Sequence, residues 1–325
     1  MKRFTLGLMT LAVATTSLAS PGETPVTAPG PLAPLRGLML TPTKQSAPVV
    51  LIIPGSGPTD RDGNSPLGIK ASTYKLLAQA LAAKDVATVR IDKRGLFTSA
   101  EAVADANAVT IQEYAHDVRQ WVGAIRQLTG AACVWVLGHS EGGLVALAAG
   151  ASDPGTCGLI LVAVPGRPMG QVLRDQLRAN PTNAPLLDQA FATIDELEAG
   201  RRVSPRDIQP VLRPLFNPRI QDFLISTFAL DPAVLIADSA KPALILQGER
   251  DVQVSAADAH RLSQAASARS RLALLPDTNH VLKRVTTDDR ATNLATYADP
   301  DLPLAPRVAE TIADFIAEAA RQEGR

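Results

Sequence analysis

The sequence predicts an α/β fold: a mostly parallel sheet covered by helices on both faces, with a helical segment inserted late in the order. Three observations predict it. Short, nearly continuous apolar runs recur along the 325 residues. Amphipathic helical patterns alternate with them, as they do where helices cover both faces of a parallel sheet. Between Arg167 and Ser239 the alternation stops, in a strand-free stretch rich in Gln, Arg, Asp and Pro, and it resumes at Pro242.

In order, "LRGLML" and "VVLIIPG" read as strands, and "STYKLLAQALAAKD" follows as a helix with Tyr74, Leu77, Ala78 and Leu81 on one face. "VATVRID" is a strand. "TIQEYAHDVRQWVGAIRQL" is a helix whose Thr110 and Glu113 fit a capping box. "CVWVLG", "GGLVALAAGA" and "GLILVAVPG" give strand, helix, strand. The inserted segment reads as the helices "QVLRDQLRAN", "APLLDQAFATIDELEAG", "SPRDIQPVL" and "PRIQDFLISTFA". "PALILQG" and "RLALLPD" are strands around the helix "SAADAHRLSQAAS", and a last helix runs from about Pro306 to Arg321. The expected organisation is a core over 35–166 and 240–325 with a helical lid over 167–239. The lid should cover the sheet edge above the site and supply apolar pocket walls.

The first residues, "MKRFTLGLMTLAVATTSLAS", pair a basic start with an apolar stretch too short to span a membrane. Ser17 and Ala19 are small residues suited to signal cleavage, so 1–19 reads as a signal peptide and the chain as exported, periplasmic or secreted, with no stable membrane anchor. Residues 20–34 form a Pro-rich leader. Lys+Arg and Asp+Glu both count 32 and aromatics are 4%, which argues against a nucleic-acid partner. Oligomeric state is left open.

"LGHSEGGLVA" sets Ser140 between glycines at a strand-to-helix turn, the G-x-S-x-G arrangement that lifts a serine nucleophile to the carboxyl edge of a sheet. Ser140 needs a base, and the chain has four histidines. His139 lies inside the turn, and His116 and His260 lie on polar helix faces. His280, in a loop just past the last apolar strand, remains. Asp251, at the end of "PALILQG", is the orienting acid; Glu249 is a possible substitute, and Asp277 is expected to cap a turn. The order Ser140, Asp251, His280 is that of one known class of serine hydrolases. Backbone N–H groups of Glu141 and of Ser56 (or Gly57), in the glycine-rich loop "PGSGPTDRDGN", are the expected oxyanion donors. No cofactor and no metal are expected.

Together "GSGPTDRDGN", "RIDKRG", "GHSEGG", "PGRP" and "GERD" resemble the α/β-hydrolase superfamily, closest to exported bacterial esterases and serine-aminopeptidase-like hydrolases. The resemblance runs from about Leu35 to the C-terminus. It implies the α/β-hydrolase fold, the triad Ser140, Asp251 and His280, and N–H donation from Ser56 and Glu141. "DKRGLFTSA" departs from the usual pattern, which has a second glycine and then a serine. Arg94 and Asp60–Asp62 are expected to form a polar network beneath the site. The expected substrate is a small-molecule carboxylic ester, with an amide or peptide as the alternative. A non-catalytic binding protein would not need all three triad members.

Two cysteines, Cys133 and Cys157, open successive strands. Neighbouring strands lie ~4.8 Å apart, within disulfide reach. A one-residue register offset would instead turn the two side chains to opposite faces. An oxidising compartment would permit the bridge.

Overall fold

The computed structural model describes residues 22–44 and 46–323; the signal peptide expected over 1–19 lies outside the described residues. Eight strands form one sheet: β1 (Gly22–Ala28), β2 (Leu35–Thr41), β3 (Val49–Ile53), β4 (Ala87–Ile91), β5 (Val134–His139), β6 (Thr156–Val162), β7 (Ala243–Gly248) and β8 (Ser270–Leu275). Their order is β1-β2-β4-β3-β5-β6-β7-β8. β1 and β2 are antiparallel and the other six are mutually parallel.

The central strands are apolar on both faces because both faces are covered. Val50 and Ile52 of β3, with Trp135 and Leu137 of β5, pack under α1 (Thr73–Ala82) and α10 (Val308–Glu323). The alternate residues Val49, Leu51, Ile53, Val134 and Val136 pack under α2 (Ile111–Thr129), α3 (Glu141–Gly150), α7 (Pro232–Ala237) and α8 (Ala256–Ala265). The capping box at Thr110 and Glu113 forms in both directions and starts α2.

The leader is not a bare lead-in. Its residues 22–28 form β1, in register from Gly22 opposite Thr41 to Ala28 opposite Leu35. Proline is tolerated on an edge strand, so Pro25 does not forbid the pairing. The ladder to β2 is joined by an ion pair across the sheet: Arg90 of β4, only 1% exposed, pairs with both Glu23 and Asp62.

The insert leaves the carboxyl end of β6 and holds α4 (Met169–Arg178), α5 (Leu187–Glu198), α6 (Gln221–Phe228) and α7. It has its own small core around Ile194, Leu197 and Phe216. "SPRDIQPVL", expected as one helix, is two short 3₁₀ turns at 205–207 and 210–212. Pro210 has no N–H for a continuing helix, and its ring would clash with the preceding turn. The insert is tied to the core through Ile111 N–H donating to Ser226 Oγ at 3.1 Å and Arg167 donating to Asp258 at 2.8 Å. α7 packs on α3 and α8, so it serves as a core helix.

Cys133 and Cys157 are bonded, with Cα atoms 5.1 Å apart. The register objection is removed by a bulge: Val134 pairs with Thr156, the next residue Trp135 pairs with Gly158, and Cys157 is left over. The bridge closes a loop between residues 24 apart, worth about 3 kcal/mol in the chain-entropy account. Replacing both cysteines with alanine should lower the unfolding free energy obtained by urea titration by about 3 kcal/mol, and the midpoint with it, while leaving the rate on a good substrate within twofold. An unchanged midpoint would show that the bridge contributes nothing.

Candidate active site

Ser140 stands between β5 and α3 with φ 55 and ψ −125, a conformation an L-residue rarely adopts. Such a backbone costs about 1–3 kcal/mol and persists only where neighbours enforce it. Ser140 N–H donates to Val162 O at 2.9 Å, and Ser140 O accepts from Gly143 N–H at 2.9 Å. Gly142 is required by proximity: a β-carbon there would meet Ile53 O and Pro54 O at 2.5 Å. The turn therefore presses directly on the end of β3, and a methyl on Gly55 would sit 3.4 Å from Ser140 Cβ. Ser140 is half-buried, at the amino end of α3, where the positive end of the helix dipole adds to its field.

The structure brings His280 and Asp251 together: His280 Nδ1 donates to Asp251 Oδ2 at 2.8 Å. Asp251 Oδ1 accepts from Gln253 N–H at 2.7 Å and Val254 N–H at 2.9 Å, and Oδ2 also accepts from Gln247 Nε2 at 3.1 Å. Burial alone would raise the Asp251 pKa, but the His280 partner and these donors together hold it below the ordinary carboxylate value. With Nδ1 committed as a donor, neutral His280 leaves Nε2 as its lone-pair nitrogen, and His280 and Ser140 line one narrow cleft. Glu249 is exposed and takes no part. Asp277 does not cap a turn with its side chain; it pairs with Arg250 and Arg284. His116 and His260 are exposed on their helices.

Ser56 lines the same cleft. Among the described residues, neither its N–H nor that of Glu141 has an intramolecular acceptor. Both are unpaired donors beside the Ser140 turn.

His139 has a role the sequence did not show. It accepts at Nδ1 from the Tyr74 hydroxyl at 2.9 Å and donates from Nε2 to His280 O at 2.8 Å. Tyr74 in turn accepts from Gly55 N–H at 3.0 Å. One line of hydrogen bonds thus joins the glycine-rich loop, the serine turn and the histidine loop. Burial, reinforced by the nearby His280, lowers the His139 pKa to about 3, so the ring is neutral and each nitrogen has a defined role. Thr73 Oγ1 donates to Val281 O at 3.0 Å and holds the histidine loop from α1.

Two expectations need correction. Arg94 and Asp60–Asp62 do not share a network. Arg94 donates to Asp117 Oδ2 at 2.6 Å and reaches Glu113 at 3.3 Å, both on α2, whereas Asp62 pairs with Arg90 and Arg61 N–H donates to Asp92. The arginine three residues past the end of β4 is turned toward the covering helix, not toward the loop. The insert, moreover, supplies none of the residues lining the cleft. Its walls are Thr59, Ile69, Thr73, Val281, Gln253 and Tyr297, from the β3–α1 loop, the start of α1 and the segments after β7 and β8. Gln176 of α4 touches the Gln253 carbonyl at 3.4 Å, so the insert abuts the rim and stops there.

The sheet order and the turn at Ser140 are those of the α/β-hydrolase fold, and the comparisons agree. Residues 67–194 match the model of the serine aminopeptidase S33 family. Esterase EstD of Thermotoga maritima is 27% identical over 237 residues, covering 72% of this chain and 54% of its own length, so the chain spans about half of that relative. In three dimensions the chain is similar to Est1E from Butyrivibrio proteoclasticus, with TM-score 0.56 and 15% identity over 91% of this chain and 99% of the other. The proline iminopeptidase of Mycobacterium smegmatis gives TM-score 0.57 and 15% identity over 92% and 100%. The chain has the α/β-hydrolase fold.

The neutral state of His139 has a measurable consequence. The unfolded chain takes up a proton near the ordinary value of 6.5, while the folded chain refuses it until about 3. Between those values the unfolded state binds more protons, so stability falls as pH is lowered through that window. His139→Gln should show a shallower fall of thermal midpoint from pH 6.5 to pH 4 than the unmodified protein. Identical slopes would remove His139 from the account.

Proposed function

We propose that this chain is a serine hydrolase that cleaves carboxylic esters through an acyl-enzyme. The observation that carries the reading is the His280–Asp251 bond ending in the cleft that holds the strained Ser140. Ser140 Oγ attacks the ester carbonyl carbon while His280 Nε2 takes its proton. Asp251 keeps the imidazole in the tautomer that can do so and stabilises the imidazolium. The developing oxyanion accepts from the unpaired N–H groups of Ser56 and Glu141. The tetrahedral intermediate collapses, the alcohol leaves with the proton from His280, and water repeats the cycle to release the acid. The kinship with esterase EstD supports an ester over an amide.

A second reading, hydrolysis of an aminoacyl amide or peptide by the same residues, is favoured by the serine aminopeptidase match, which spans the serine turn. A panel of acyl esters and aminoacyl amides separates the two, with faster turnover expected on esters of small acids. Export belongs to the same proposal. The N-terminal pattern and the Cys133–Cys157 bridge both suit an oxidising compartment, and the mature protein should begin at Ser20.

A fluorophosphonate should label the purified protein at Ser140, and Ser140→Ala should abolish both labelling and turnover. His280→Ala should lower kcat by several orders of magnitude, and Asp251→Asn by a smaller factor. Near-normal turnover by the Ser140→Ala protein would sink the nucleophile assignment.

A further inference from the structure

Lys93 is only 6% exposed just past the end of β4, and its ammonium donates to Gly55 O at 2.7 Å. Its charged neighbour is the carboxylate of Glu141, only 5% exposed and 4.0 Å away. The ammonium also stands 5.6 Å from the centre of the Tyr114 ring. Burying an amine and a carboxylate in an apolar wall costs several kcal/mol per ion unless geometry repays it, so the pair is an expensive way to fill space. Lys93 does not line the cleft at Ser140, and its surroundings are Ile53, Tyr114 and Val145 beneath the serine turn.

We infer that Lys93 is a positioning residue that sets the oxyanion donors, an inference that rests on the functional reading above. Gly55 O and Ser56 N–H belong to one trans peptide plane and point in opposite directions. The ammonium grips the carbonyl from the buried side, so the Ser56 N–H is turned outward to the cleft that Ser56 lines. The preceding peptide is gripped as well, because Gly55 N–H donates to Tyr74 Oη. A glycine has no side chain to hold its own orientation, and both its flanking peptides are held by buried side chains instead. The same ammonium faces Glu141, whose backbone N–H is the other donor. One buried cation thereby spans the two halves of the oxyanion site without touching substrate. Glu141 supplies the counter-charge that keeps this amine in place.

The test separates positioning from mere stability. Lys93→Met alone leaves the Glu141 carboxylate buried without its cation, which destabilises the fold and makes that variant a poor test. The double variant Lys93→Met/Glu141→Met removes both charges and keeps the Glu141 backbone N–H. It should fold with a thermal midpoint near that of the unmodified protein, and KM for a small ester should stay within threefold. Its kcat should fall by about 10²-fold, the scale of a lost or misaimed oxyanion donor. Binding of a trifluoromethyl ketone, whose adduct with Ser140 carries the oxyanion, should weaken by a similar factor. A folded double variant with unchanged kcat, or with the loss entirely in KM, would overturn the inference alone. Failure of the unmodified protein to take a fluorophosphonate at Ser140 would overturn the functional reading and this inference with it.

Discussion

The structure depends on one backbone constraint, the left-handed φ of Ser140. A serine held this way cannot relax into the strand before it or the helix after it. Its neighbours are fixed accordingly. Gly142 lies against the carbonyls at the end of β3, and Val162 of β6 accepts the serine's own N–H. Three adjacent parallel strands must therefore end at matching heights. The apolar runs that form them are short, and they carry few polar residues because helices cover both faces of the sheet.

Around this turn the protein places a set of polar groups inside otherwise apolar packing. Tyr74, His139 and the His280 carbonyl form one line, and Lys93, Gly55 and Glu141 form another. In such surroundings an unpaired polar group costs far more than at the surface, so each bond that forms also selects one geometry. The two lines converge on Gly55. The loop most in need of support is a glycine-rich one, and it is held by side chains from α1 and the end of β4.

The cleft itself is built from loops of the core. The insert stabilises its own small core, donates α7 to the helical layer and reaches only the rim. The residues lining it are thus those of the β3–α1 loop, the start of α1 and the segments bearing Asp251 and His280. Several of them, including Thr59, Thr73, Gln253 and Tyr297, carry hydroxyl or amide groups.

Much of this was legible in the sequence. Apolar periodicity located seven of the strands and the main helices, because both signals are local. The glycines around Ser140 announced the turn for the same reason. His280 followed from elimination among few histidines, and Asp251 from its place at a strand's carboxyl end. What only the tertiary structure decided are contacts between residues far apart in the chain. Part of the Pro-rich leader pairs with β2 as an edge strand, and Glu23 on it meets Arg90 of β4. His139 joins Tyr74, 65 residues away, to the His280 carbonyl, 141 residues away. Lys93 reaches Gly55 across 38 residues. In sequence none of these residues shows its partner. The cost of leaving its buried polar atom unpaired gives each a role, and that cost exists only once the chain has closed around it.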